Sequence, residues 1–200
     1  VIADRAAILV NQGFNYCNYY EGPTVLIAAV LFAFQVYGDF AGYSNIAIGA
    51  AQVMGFKLMK NFERPYLAVS VSDFWRRWHI SLSTWFRDYL YIPLGGNRKG
   101  KVRKYINQMI VMLVSGLWHG AAWNYVIWGG INGLYQVAGG ITKPSRRRIQ
   151  QKTGERTKTL SWRIGQVLTT FVLIDLSWIF FRANSLGDAM HLLSSLFRGW

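Results

Sequence analysis

The chain has 200 residues, 52% of them apolar and 16% aromatic, and its 22 Lys and Arg outnumber nine Asp and Glu for a net charge of +13. Such a balance admits a nucleic acid, an anionic polymer, or the cationic loops of a membrane protein. The distribution favours the last over a nucleic-acid footprint: the cations gather between apolar stretches, at 57–64, 98–104 and 143–163, which is the positive-inside arrangement.

Cys17 is the single cysteine, so there is no disulfide framework and no Cys-based metal site. The start at Val1 has no signal-peptide pattern, and the end at Trp200 follows an amphipathic run. The sequence therefore reads as a fragment.

From Thr24 to Phe56 the only charge is Asp39. A bilayer core of ~30 Å needs about 20 helical residues, so this stretch exceeds one crossing. Gly38-Asp39 is the expected place for a break. Small residues beyond it (Gly42, Ser44, Ala47, Gly49, Ala50) suit close helix contact in lipid. Asp39 is either a buried functional carboxylate or, the better-supported reading, a carboxylate paired with an arginine or capping a half-helix.

Ser72 to Tyr91 predicts an amphipathic helix, with Ser70, Ser72 and Asp73 offering N-cap chemistry. At helical spacing Phe74, Trp75, Trp78, Leu82, Trp85, Phe86 and Tyr89 form one stripe, and Arg76, Arg77, Ser81, Thr84, Arg87 and Asp88 the opposite face. His79 lies at the edge of the stripe. Pro93-Leu94-Gly95-Gly96-Asn97 ends the element, and the basic run Arg98–Lys104 follows.

Ile106 to Gly140 contains no Asp, Glu, Lys or Arg, and cations flank it on both sides. If both flanks are cytoplasmic, the segment enters the bilayer and returns. The turn is expected near Ser115-Gly116 or His119-Gly120-Ala121, with tight packing at Gly129, Gly130, Gly133, Gly139 and Gly140. Lys143 to Arg163 is read as a cytoplasmic loop with room for surface helix. Ile164 to Phe181, apolar except for Asp175, is one more crossing. Ala189–Phe197 is an interfacial run, and His191 within it a surface histidine. No internal repeat is present.

Two of the three histidines, His79 and His119, sit beside tryptophan at the margins of apolar sequence. They are far apart in sequence and lack the Cys or Glu company of a zinc site, so no metal is expected. Neither a phosphate-cradling Gly loop nor a Gly-x-Ser-x-Gly elbow is present. A histidine acting directly on a hydroxyl is the remaining chemistry. His119 among small neighbours (Gly116, Gly120, Ala121, Ala122) has room for a substrate, and a dry site favours the neutral imidazole that takes a proton from an alcohol. On local sequence alone this reading and a packed histidine bonded to a backbone carbonyl stand level.

The runs Asp73-Phe74-Trp75-Arg76-Arg77-Trp78-His79-Ile80-Ser81, Phe86-Arg87-Asp88-Tyr89-Leu90-Tyr91-Ile92-Pro93-Leu94-Gly95-Gly96 and Ser115-Gly116-Leu117-Trp118-His119-Gly120 closely resemble the membrane-bound O-acyltransferase family. The likeness is to its bacterial branch, which acts on alginate and on teichoic acids. The resemblance implies an all-α, multi-pass transmembrane helical bundle with amphipathic and re-entrant helices. Residues 1–200 would form a single catalytic region lacking the family's N-terminal helices and its last one.

The resemblance also implies that His119 is catalytic and that His79 is its polar partner, since eukaryotic relatives carry Asn there. It implies O-acyl transfer from a thioester, acetyl-CoA or an acyl carrier, to an exported polysaccharide such as alginate. No cofactor would be bound. Partners would be membrane lipid, the donor and the proteins of polysaccharide acetylation, in the bacterial cytoplasmic membrane, with no nucleic acid. Arg76, Arg77, Arg87, Trp78 and Trp118 are the candidates for holding substrate. The arginines serve donor phosphates or uronate carboxylates, or bind lipid headgroups, the reading slightly preferred. D-alanyl transfer, a proton or ion path through Asp39, His119 and Asp175, and a docking scaffold are the alternatives.

Overall fold

The computed structural model describes Ile2–Gly154 and Thr159–Trp200. Among those residues there is helix and turn and no strand. The described residues fall into two compact units, one of 1–60, 120–128 and 175–200, the other of 61–119 and 129–174.

In the first unit, α1 (Ile2–Asn15) packs on α2 (Pro23–Val53). Pro23 sits at the start of α2, where its missing N–H costs nothing. The residue before it, Gly22, has φ of +51°, and a Cβ there would come within 2.5 Å of the Arg198 carbonyl oxygen. Glycine is therefore required at this turn. Gly13 lets the helices approach, since a Cβ there would stand 2.6 Å from that of Ala28.

An aromatic core fills the unit. Phe32 meets Phe14 at 5.9 Å and Trp178 edge-on at 6.3 Å, and Trp128 stacks on Trp178 at 5.7 Å. Asp175, close in sequence to Trp178, is buried, and its Oδ1 has no hydrogen-bond partner among the described residues. The last helix, α8 (Leu186–Ser195), begins at Ser185, whose hydroxyl accepts from the Asp188 N–H at 3.1 Å. His191 on α8 is half-buried, more covered than a surface histidine.

The second unit departs from the sequence reading. Ser72–Tyr91 is not one helix but α3 (Val71–Arg77), α4 (Ile80–Phe86) and a π-helical turn at Arg87–Tyr91. Ser70 caps α3 as expected, accepting from the Asp73 N–H at 3.2 Å. The break falls at Trp78-His79, where His79 adopts φ of +45°. Residues 61–63 brace it: the Asn61 carbonyl accepts from Ile80 N–H at 3.0 Å, and Glu63 N–H donates to the Arg77 carbonyl at 3.0 Å. Asn61 Oδ1 accepts from both the N–H and the hydroxyl of Ser81, at 3.1 and 2.9 Å. Those bonds satisfy backbone donors that a continuous helix would have paired internally.

The single apolar stripe therefore splits. Phe74, Trp78 and Phe86 are buried, whereas Trp85 and Tyr89 are exposed.

The apolar stretch 106–140 does turn at His119-Gly120-Ala121. α5 (Gly100–His119) ends there and α6 (Trp123–Thr153) begins after three intervening residues. Close approaches run in reverse order along the two helices. A Cβ on Gly129 would be driven into the Met112 carbonyl, one on Gly133 into Met109, and one on Gly140 into Tyr105. This is an antiparallel hairpin, and it brings the start of α5 and the end of α6 to the same end.

Two further expectations are corrected. α2 runs unbroken through Gly38-Asp39. One glycine costs about 1 kcal/mol in a helix, less than opening backbone bonds where no water can replace them. The basic stretch from Lys143 to Lys152 continues α6 through Pro144 and is not a loop, while 155–158 of that stretch lie outside the described residues. The helix α7 (Leu160–Arg182) follows. Two helices, Pro23–Val53 and Leu160–Arg182, are long and apolar enough to cross a bilayer.

Candidate active site

Within the second unit α5, α6, α7 and the segment 69–97 line an open cavity of about 1350 Å³. On α5 its wall is Lys104, Gln108, Val111, Met112, Ser115 and His119. That spacing is one helix face, and Lys104 to His119 spans about 22 Å along the axis at ~1.5 Å per residue. His119 thus lies at one end of the α5 wall and a cation at the other. Because α6 runs antiparallel, its contribution beside Lys104 is cationic too, with Lys143, Arg146 and Arg147 on the lining. Arg146 is held in place by donating to the Gly139 carbonyl at 2.6 Å. Gln108 Oε1 is buried on the wall with no hydrogen-bond partner among the described residues.

His79 lines the same cavity, so the two distant histidines meet in one site. Trp118 lies beside both, its ring 6.4 Å from His79 and 4.9 Å from His119. Both histidines are half-buried. The left-handed backbone at position 79 makes the chain change direction between α3 and α4.

Of the other predicted site residues, Arg76, Arg87 and Trp78 line the cavity, and Arg77 and Trp118 do not. Arg77 pairs with Asp73 one turn away, Nε to Oδ2 at 3.1 Å, and so reinforces the α3 cap. Trp118 is 58% exposed. Trp78 is chiefly a packing residue, stacked on Phe74 at 5.4 Å and edge-on to Phe62 at 5.0 Å. Arg76 Nε donates to the Ser72 carbonyl of its own helix at 3.2 Å. Arg87 and Asp88 pair at 2.7 Å, and the hydrogen bond from Arg87 holds the exposed Asp88 carboxyl below its ordinary range.

Several residues of the cavity escaped the sequence reading. Lys104, Lys143 and the Arg146-Arg147 pair were legible only as loop charges, Lys104 because the basic run 98–104 passes into α5 and Arg146 and Arg147 because α6 continues past Pro144. Asn107 is fully buried and its Nδ2 donates to the Leu94 and Gly96 carbonyls, both at 3.2 Å. It pins the Pro93–Asn97 turn to α5 and with it the wall carrying Arg87 and Tyr91. Asn132, also fully buried, accepts from Trp75 Nε1 at 3.3 Å and ties α3 to α6. Polar residues in apolar runs were the available signal for both.

The profile of MBOAT, the membrane-bound O-acyltransferase family, matches residues 21–180, which include both histidines. The chain belongs to this family. Among its relatives is a "Probable alginate O-acetylase AlgI" of Pseudomonas syringae, 43% identical over 98% of this chain and 36% of the relative. A "Peptidoglycan O-acetyltransferase" of Helicobacter pylori is 38% identical over 98% of this chain and 36% of the relative. A "Teichoic acid D-alanyltransferase" of Streptococcus thermophilus is 35% identical over 62% of this chain and 31% of the relative. The chain spans about a third of the length of the curated relatives it matches. Within this membrane-bound O-acyltransferase chain, the two motif histidines and the cationic end of α6 border the same space.

Proposed function

We propose that residues 1–200 are a single catalytic region of a multi-pass acyltransferase in the bacterial cytoplasmic membrane. It moves an acyl group, acetyl foremost, from a thioester donor to a hydroxyl of an exported polysaccharide such as alginate. The observation that carries this reading is the shared cavity, with His79 and His119 together on its wall and cations far along α5 and α6. α2, α7 and the α5–α6 hairpin supply the passes.

In the proposed reaction a neutral His119 takes the proton of the acceptor hydroxyl. The oxygen attacks the thioester carbonyl carbon, the C–S bond breaks, and the leaving thiolate recovers the proton from the imidazolium. His79, on the same wall, orients His119 or the acceptor by hydrogen bonding. Lys104, Lys143, Arg146 and Arg147 suit an anionic donor, acetyl-CoA or a carrier-borne thioester. Arg76 and Arg87, exposed at the cavity edge, suit donor phosphates or uronate carboxylates, and lipid headgroups equally. The names of the relatives support acyl transfer to an envelope polymer and include a D-alanyl variant of it. Proteins of polysaccharide acetylation are the expected partners.

The test is acyl transfer by the purified full-length protein. His119→Ala should lose ~10²–10⁴-fold in rate, the usual worth of a general base, with membrane insertion intact. His79→Asn should keep part of the activity. Wild-type transfer in His119→Ala would refute the mechanism, and complete loss in His79→Asn would make His79 a proton carrier.

A further inference from the structure

We propose that a second recess, wholly within the unit of 1–60, 120–128 and 175–200, binds a polyhydroxylated saccharide segment. This rests on the acyl-transfer reading and concerns the class of acceptor that reading names. The recess holds about 900 Å³ and is open to solvent, within the size range of small-ligand sites.

One face of α2 forms its wall, with Phe32, Gln35, Asp39, Phe40 and Tyr43 at helical spacing. Asp39 is exposed midway along an otherwise uncharged apolar helix. A carboxylate is not tolerated against lipid tails at that depth, so it faces water or a polar ligand. Gln35 Oε1, one turn earlier, is buried and has no donor. Among the described residues, Gln35 Oε1 therefore lacks a hydrogen-bond donor, and the exposed Asp39 carboxylate lies beside it on the same face.

Across the recess the donors are already arranged. Arg182 Nη2 donates to Asn11 Oδ1 at 2.6 Å, and Asn184 Nδ2 donates to Asn15 Oδ1 at 3.1 Å. The Arg182 guanidinium also lies 5.5 Å from the centre of the Phe14 ring. Amide oxygens hold this guanidinium, not a carboxylate, and its charge is left available to a ligand.

The composition selects the ligand class. A phosphate-rich ligand needs several cations and meets one arginine opposite a carboxylate here. An acyl chain needs an unbroken apolar wall, and here Gln35, Asp39, Asn124 and Asn184 interrupt the apolar and aromatic lining. Sugar rings offer hydroxyls that both donate and accept, and C–H faces that stack on rings such as Phe40, Tyr43 and Tyr125. The single arginine adds a partner for a uronate carboxylate. In sequence, Ala122 of this recess lies three residues beyond His119.

The probes are a uronate hexasaccharide and a neutral N-acetylglucosamine tetramer, titrated into the full-length protein in nanodiscs by calorimetry. Wild type should bind at least one. Asp39→Leu and Asn184→Ala should each weaken binding tenfold or more, whereas Asp39→Asn should retain most of it. Asn184 is exposed, so its variant keeps the test valid if Asp39→Leu misfolds. Failure of wild type to bind either probe would overturn the proposal. So would wild-type affinity in both weakening variants, or an Asp39→Cys protein inert to a water-soluble maleimide. His119→Ala should bind the probe while failing to transfer, which separates the two ideas. Transfer that persists in His119→Ala overturns the reaction and leaves the recess standing, and unchanged affinity in the recess variants with His119-dependent transfer does the reverse.

Discussion

Gly129→Ala is the sharpest probe of the helical hairpin that carries His119. The Cβ it adds would be driven into the Met112 carbonyl oxygen, and would stand 3.1 Å from the Met112 carbonyl carbon and 3.4 Å from Gly116 Cα. These are backbone atoms, so no rotamer change relieves the contact and α5 and α6 must separate. Overpacking of this kind costs ~1–3 kcal/mol. Alanine returns about 1 kcal/mol of helix propensity, which leaves a net loss of roughly 1–2 kcal/mol when the clash lies at the upper end.

The neighbouring Gly130→Ala meets only Leu113 Cδ2 at 3.6 Å, an ordinary contact, and should be neutral or stabilising. Gly133→Ala meets Met109 Sδ at 2.7 Å, the flexible end of a side chain, and should fall between the two. Thermal unfolding of the full-length protein in detergent, followed by tryptophan fluorescence, should rank the midpoints Gly130→Ala, then Gly133→Ala, then Gly129→Ala. Equal midpoints for Gly129→Ala and Gly130→Ala would refute the antiparallel packing.

Asn107→Leu keeps the branched shape and removes both N–H donors to the Pro93–Asn97 turn, so about 1–3 kcal/mol of stability should be lost. Limited proteolysis within that turn should accelerate, and an unchanged cleavage rate would show that the clamp is dispensable. The hairpin also fixes topology: Lys101→Cys and Lys152→Cys, introduced beside Cys17→Ser, should both react with a membrane-impermeant maleimide from the cytoplasmic side only. Labelling from opposite sides would remove the hairpin and change the depth assigned to His119.

What could be read from the sequence was local or periodic. The Ser70 cap, the turn after His119 and the small residues of α6 each depend on neighbours within a few positions. What could not be read depended on distant partners or on the bilayer. The break at Trp78-His79 is held by Asn61 and Glu63, outside any window centred on the helix. Gly38-Asp39 carries the residues of a break, yet an apolar setting without water favours the intact helix. The basic run after Gly140 looks like a loop by charge, and remains helical with Pro144 inside it. The meeting of His79 and His119 was foreshadowed by family likeness, and the cationic end of their cavity was not.

Position 79 carries two constraints at once. Its φ of +45° places it in a region where most L-residues are disfavoured. Besides glycine, the side chains that tolerate this conformation best are Asn, Asp and His. The backbone bend therefore narrows the alphabet at this site before any chemistry is weighed, leaving short polar groups able to give or accept a hydrogen bond. The Asn that the family resemblance implies at this place in eukaryotic relatives belongs to that alphabet. A longer polar side chain, such as Gln, Lys or Tyr, would reach the same cavity at a greater backbone cost, one this chain accepts elsewhere only at Arg64, with φ of +47°, among the described non-glycine residues. Substitution at position 79 is in this sense filtered by a torsion angle first and by acid–base behaviour second.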